Sequence, residues 1–164
     1  MKEIQLTKGF VALIDDEDFD RVSKYKWCAC VSGSAVYALH SFKSDLTGKR
    51  FVLSMHRFIM DNPDGLEVDH INHNGIDNRK ENLRACTGSQ NSMNSSIYKN
   101  NTTEYKGTSY NPKNNPSNPY SAHIGYQGKL IHLGYYTTVQ QAARAYDRKA
   151  KELFGEFAAL NYDD

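Results

Sequence analysis

Cysteine is scarce in this chain and cannot pair off evenly. Three cysteines occur in 164 residues, with Cys28 and Cys30 two apart and Cys86 alone. No Cys-x-x-Cys exists, so neither a zinc site of ordinary spacing nor a disulfide framework is expected. Free, buried thiols in a reducing compartment follow. Long hydrophobic runs are missing too. Nothing approaches the roughly 18 apolar residues of a membrane span. Met1, Lys2 and Glu3 open a polar start without the apolar stretch of a secretory leader. Neither a membrane partner nor export is expected. A strong excess of positive charge, the usual footprint of a nucleic-acid partner, is also absent: the net charge is +1.

The composition, 39% hydrophobic and 12% aromatic, supports folding but not one large core. One domain or two small ones fit the length. Residues 9–14 read as a strand, and Asp15 opens a short helix reaching about Tyr25, its acids at the positive helix end. Trp27–Val31 and Ala35–Phe42 read as strands joined by a Ser-Gly-Ser turn, with a further strand over Arg50–Met55 and a short helix over His56–Met60. Trp27, Tyr37, Phe51 and Phe58 are expected in the core. His56 and Arg57 are expected in structural or phosphate-contacting roles. Residues 97–104 are polar and read as a linker. Beyond them come strands near Lys106–Tyr110, Tyr120–Tyr126 and Lys129–Tyr135. A helix capped by Thr138 then runs to about Phe154, with Ala142, Ala143, Ala145, Tyr146, Ala150 and Leu153 at helical spacing.

The segment from Val68 to Asn94 carries the chemistry. Asp69 and His70 are followed after eleven residues by Asn82 and after eight more by Asn91. The predicted order is a strand over Leu66–His70, a polar loop with Asn74-Gly75, a strand over Asn82–Cys86, and a helix opened by the capping box Thr87-Gly-Ser-Gln90. Folded as a hairpin with the helix across it, these side chains converge. A neutral imidazole is a suitable base for a water nucleophile near pH 7. His70 is the candidate and His73 the competitor. One carboxylate and one amide oxygen, from Asp69 and Asn91, suit a hard divalent ion. Asn82 ties the loop or orients His70. Strand neighbours point to opposite faces, so Asp69 and His70 serve one phosphate only if the strand ends and twists there. Residues 61–96 hold six acids against three bases, a balance that suits a metal site.

The motif VDHINHNGIDNRKENLR, with SMHRFIM and QLTKGFVALIDDEDFDRVSKYKW before it, resembles the HNH homing endonucleases of phages and group I introns, in the variant whose last two positions are Asn. The resemblance covers about residues 4–96. It implies an α+β chain with a ββα-metal core at about 66–96 inside a domain 1–96, and one magnesium ion, which manganese can replace, with no zinc. It also implies cutting of double-stranded DNA to 5′-phosphate and 3′-hydroxyl ends, in the cytoplasm of a bacterial host and from a phage or mobile element. His70 becomes the base, Asp69 and Asn91 the metal ligands, and Asn82 the brace. Lys80 and Arg84 join the expected DNA contacts.

Residues 105–164 resemble the DNA-binding domain of plant ethylene-response factors (APETALA type), through YKGTSYN and YSAHIGYQGKLIHLGYYTTVQQAARAYDRKAKELFGEFAALNY. That family implies a three-stranded antiparallel sheet on one helix, with the sheet reading the major groove. Alternation sends Ala122, Ile124, Ile131 and Leu133 toward the helix and His123, Gly125, Leu130 and His132 toward DNA. The plant domains' arginines and tryptophans are replaced here by Ser109, Asn111, His123, Gly125, Leu130 and His132, leaving Lys106, Lys113 and Lys129 for phosphates. A different target from the plant one is therefore expected. A monomer or weak dimer is expected, because no coiled-coil seam is visible. The rival readings are a non-catalytic DNA-binding regulator with a decayed nuclease unit and an RNA-binding or RNA-processing module.

Overall fold

A computed structural model of the chain describes residues 1–33, 35–97 and 100–162. Ser34 of the expected Ser-Gly-Ser turn and Tyr98 and Lys99 of the expected linker lie outside the described residues. The fold is mixed α and β, with small sheets and few helices. It divides into two compact units, Met1–Asn91 and Ser92–Asp164.

The first unit begins with a strand, β1 (Lys2–Gln5), in the stretch read as a polar start. It pairs antiparallel with β2 (Val11–Ile14), Lys2 opposite Ile14 and Gln5 opposite Val11. Ile4 points inward while its polar neighbours Glu3 and Gln5 face solvent. The helix expected from Asp15 shrinks to a 3-10 turn, Asp16–Asp18, and one α turn, α1 (Phe19–Val22). Trp27 closes it by donating from its indole N–H to the Val22 carbonyl at 2.9 Å. The meander β3 (Cys28–Ser32), β4 (Ala35–Lys43) and β5 (Arg50–Ser54) follows, in that spatial order. Its alternation corrects two expectations. Ala29 is the inward residue of β3, so Cys28 and Cys30 are exposed, and only Cys86 is a buried thiol. Phe51 is exposed and stacks on Phe42 at 5.7 Å instead of entering the core.

Helix α2 (Met55–Ile59) buries Met55 and Ile59 against Ile14, Val22 and Trp27. Side chains of this size contribute about 1.5–3 kcal/mol each when fully buried. The hairpin of β6 (Glu67–His70) and β7 (Leu83–Cys86) adds Val68 and Leu83 to that core. Asn82 lies in a 3-10 turn, Lys80–Asn82, ahead of β7. The loop between the strands docks on β2: the Leu13 N–H donates to the Ile76 carbonyl and the Asn78 N–H to the Leu13 carbonyl, both at 2.8 Å. Helix α3 (Gly88–Met93) follows. Its capping box is formed, with the Thr87 N–H donating to Gln90 Oε1 at 2.8 Å and the Gln90 N–H to Thr87 Oγ1 at 3.2 Å.

In the second unit β8 (Thr108–Tyr110), β9 (Tyr120–Tyr126) and β10 (Lys129–Tyr136) form an antiparallel sheet with β9 central. Helix α4 (Val139–Phe154) is capped by Thr138, whose side chain accepts from the Gln141 N–H, and it ends at Gly155 in a positive-φ conformation. Ala122 and Ile124 are buried with Ala142, Tyr146 and Ala150 of α4. A register shift between His132 and Gly134 bends β10. Ile131 and Leu133 are half-buried and pack against the core that holds Ile124 and Tyr146.

Candidate active site

His70 ends β6, and its ring enters a small box of polar and aromatic groups. Its Nε2 lies 3.1 Å from Asn78 Oδ1, and both residues are buried. The His56 ring, carried by α2, meets it edge-on at 4.9 Å between centroids. Tyr37 of β4 sits 6.0 Å from His70 and 6.1 Å from His56. Burial lowers the pKa of His70 below its ordinary value, although the Asn78 hydrogen bond and the carboxylates of Asp69 and Asp77 oppose the shift. Burial first, then repulsion from His70 and Arg57, depresses His56 to about 4. The Nδ1 of His56 is buried without a hydrogen-bond partner.

These depressed histidines make the first unit sensitive to acid. Below pH about 6.5 the unfolded chain takes up protons that the folded imidazoles refuse. The His56 contribution is whole above that pH and is lost progressively as pH falls toward 4, by on the order of 2–3 kcal/mol. Urea midpoints followed by Trp27 fluorescence are therefore expected to fall between pH 7 and 4.5 in the wild type and to fall less in His56→Phe. Equal slopes would remove His56 as the cause.

Asp69 faces the other way. Its Oδ2 accepts from Arg84 Nε at 3.1 Å and Nη2 at 2.9 Å, directly across the hairpin, where Asp69 and Arg84 are register partners. Glu67, two residues earlier and so on the same face, accepts from the Asn91 carboxamide nitrogen at 2.5 Å. Gly88 allows this approach, because a Cβ there would stand 3.2 Å from Glu67 Oε1. Asn91 is thereby brought to the Glu67 and Asp69 face by way of Glu67, a residue that the motif spacing did not single out. Asn82 is built into the loop: its carboxamide donates to the Asp77 carbonyl at 2.7 Å and accepts from the Asn72 N–H at 2.9 Å. The side chain that meets the His70 ring is instead that of Asn78, another residue that the motif spacing did not single out. Asp77 supports the same loop. Arg79 donates to both its oxygens at 2.7 Å and holds its carboxyl below the usual range. His73 is exposed on the turn after β6, at φ +61°.

The Asp-His pair, the braced loop and the helix bearing Asn91 lie within a stretch that matches a known family. A model described as HNH endonuclease matches residues 61–93. An uncharacterised HNH endonuclease of Acanthamoeba polyphaga mimivirus is 37% identical over 163 residues, covering 96% of this chain and 78% of that protein. The chain belongs to the HNH endonuclease family. It is therefore a nuclease, and its substrate is nucleic acid.

Several cations expected on DNA are engaged within this HNH protein. Arg84 is paired with Asp69, and Lys80 with Glu17 and with Asp18 at 3.4 Å. Lys106 turns inward, its ammonium donating to the carbonyls of Met93 at 2.9 Å and Ser95 at 2.5 Å. Burial lowers its pKa to about 8. The two carbonyl hydrogen bonds offset part of the cost of burying the charged amine. Asn111, Lys113, Lys129 and His132 are exposed, while Ser109 bonds Ser121 at 2.8 Å and His123 is half-buried. No helix among the described residues is long and apolar enough to cross a membrane.

Proposed function

We propose that the chain is a metal-dependent DNA endonuclease of the homing type, encoded on a mobile or viral element. In this reading residues 1–96 cut the strand and residues 105–164 hold the DNA, like the ethylene-response-factor domains they resemble. The observation that carries it is His70: a buried imidazole fixed at the end of a strand, inside the stretch that matches the HNH model, with a carboxylate and a carboxamide on the adjoining strand–helix face.

His70 takes the proton of the attacking water. The water oxygen bonds to phosphorus, the bond to the 3′-oxygen breaks, and 5′-phosphate and 3′-hydroxyl ends result. The leaving oxygen regains its proton from solvent. Asn82 keeps the loop closed around this step. Asp69 and Asn91 are the residues that would hold the cation. Their donor set fits a hard ion, because both supply oxygen, and Asn91 spends its amide nitrogen on Glu67, which leaves its carbonyl oxygen for the metal. Magnesium, or manganese in its place, supplies charge neutralisation at the phosphate and leaving oxygen when bound. The second unit contributes affinity through its exposed sheet face, where Lys129, Leu130 and His132 stand clear of α4. A second tethered contact raises effective affinity without new catalytic surface.

Supercoiled plasmid carrying the target locus tests this. Nicking is expected with magnesium or manganese, loss of nicking on chelation, and recovery on adding either ion back. Unchanged nicking in excess chelator, or none on any DNA with either ion, would remove the reading.

A further inference from the structure

The loop that carries the motif contains one side chain whose placement its own turn does not explain. Asn72 and Asn74 serve the loop: Asn72 Oδ1 accepts from the Asn74 N–H at 2.8 Å, and Asn74 Oδ1 from the Ile76 N–H at 3.4 Å. Asn78 differs. It is 0% exposed, and its Oδ1 leaves the loop for His70 Nε2. Its Nδ2 is buried with no partner. An unsatisfied buried amide costs about 1–3 kcal/mol, so a side chain chosen only for stability would be apolar here. The backbone is fixed independently, by the bond from the Asn78 N–H to the Leu13 carbonyl and by the Leu13–Asp77 bridge.

We propose that Asn78 is a positioning residue for the nuclease reaction: its carboxamide oxygen accepts a hydrogen bond from the Nε2–H of His70 and so keeps the proton on Nε2 and the lone pair on Nδ1. This rests on the reading of His70 as the base. A neutral imidazole has one protonated nitrogen and one lone pair, and the partner of one decides the state of the other. Only the tautomer with its lone pair toward the water can act. The neutral amide selects that tautomer without adding charge. A carboxylate in its place would favour the imidazolium, which has no lone pair to offer. The Asn78 ring contact also complements the faces of His56 and Tyr37, which limit rotation of the imidazole.

Nitrogen NMR of the six histidines in the full chain reads the tautomer, with His70 assigned by its disappearance in His70→Ala. The wild type is expected to show His70 protonated at Nε2. Asn78→Leu, close in volume and lacking the acceptor, is expected to show a mixture. Its kcat for plasmid nicking should fall about 10–100-fold, as for lost outer partners of site residues, with KM within about twofold. Asn78→Asp, which retains an acceptor at the same place, should keep the Nε2 proton. A wild-type His70 protonated at Nδ1 overturns the proposal, and that result needs no variant to fold. So does a folded Asn78→Leu with wild-type kcat. Full nicking by His70→Ala instead overturns the base reading and leaves the tautomer measurement to judge Asn78 alone.

Discussion

Replacing His70 with alanine is expected to lower nicking at saturating DNA by about 10²–10⁴-fold, the range for loss of a positioned general base. DNA binding should be nearly unchanged, because His70 is buried and reaches its surroundings through Asn78, His56 and Tyr37. The variant leaves the Asn78 oxygen without its donor, at about 1–3 kcal/mol. A drop in urea midpoint is therefore expected too, and the rate must be compared where both proteins are folded. His73→Ala is the companion. It stands on the exposed turn three residues on, and its replacement should leave kcat within a few-fold. Loss of activity in His73→Ala with retention in His70→Ala would move the base to the turn. If His70 is the base as proposed, its deprotonated form is the competent one, and the wild-type rate should rise with pH through a midpoint below the ordinary histidine value, in keeping with the direction of its shift.

What could be read in the chain, and what could not, follows from the range of the interactions. The box at Thr87 and Gln90 and the apolar spacing of α4 are local, made between residues three or four apart, and both are present in the fold. The Asp-His pair and the two later asparagines were visible as spacing. Their partners were not. Asn78 reaches His70 only because Leu13, 65 residues earlier, takes its backbone N–H. Arg84 meets Asp69 through the β6–β7 register, which places them opposite. Arg84 and Lys80, expected on DNA, are paired with carboxylates of the chain itself, partners that lie far along the sequence and that spacing does not reveal. Alternation supplied the faces of β9. Residue type alone misplaced Phe51, Cys28 and Cys30, because it does not say which face of a short meander has a neighbour. The geometric difficulty at Asp69 and His70 is real: the two side chains do go to different partners. The strand ends at His70, and its ring lies against Asn78 and His56 while Asp69 meets Arg84 across the hairpin.

Gly107→Ala is expected to unfold much of the second unit. Gly107 has φ +70°, and an added Cβ would stand 1.9 Å from Cδ2 of Tyr146. That ring is 3% exposed and packs in the core between sheet and helix. The corner cannot retreat. The Lys106 N–H donates to Asn161 Oδ1 at 2.6 Å, and Asn161 Nδ2 donates to the Lys106 carbonyl at 3.1 Å and to Asp147 Oδ1 at 3.0 Å. The Gly107 carbonyl itself accepts from the His123 N–H at 2.8 Å. Either the tyrosine leaves its site, forfeiting about 2–3 kcal/mol of burial, or these bonds break, with about 1–2 kcal/mol more for the left-handed backbone of a residue bearing a Cβ. A unit of this size has about 4–11 kcal/mol in total. Hydrogen exchange should show β8, β9 and β10 amides losing protection. Trp27, the single tryptophan, lies in the first unit and should keep its own unfolding transition. Under the proposed division of labour the consequence for activity is specific: KM for plasmid rises as the sheet face is lost, while kcat at saturating DNA persists. Unchanged β9 protection would refute the steric argument, and a kcat loss equal to that of His70→Ala would refute the division of labour.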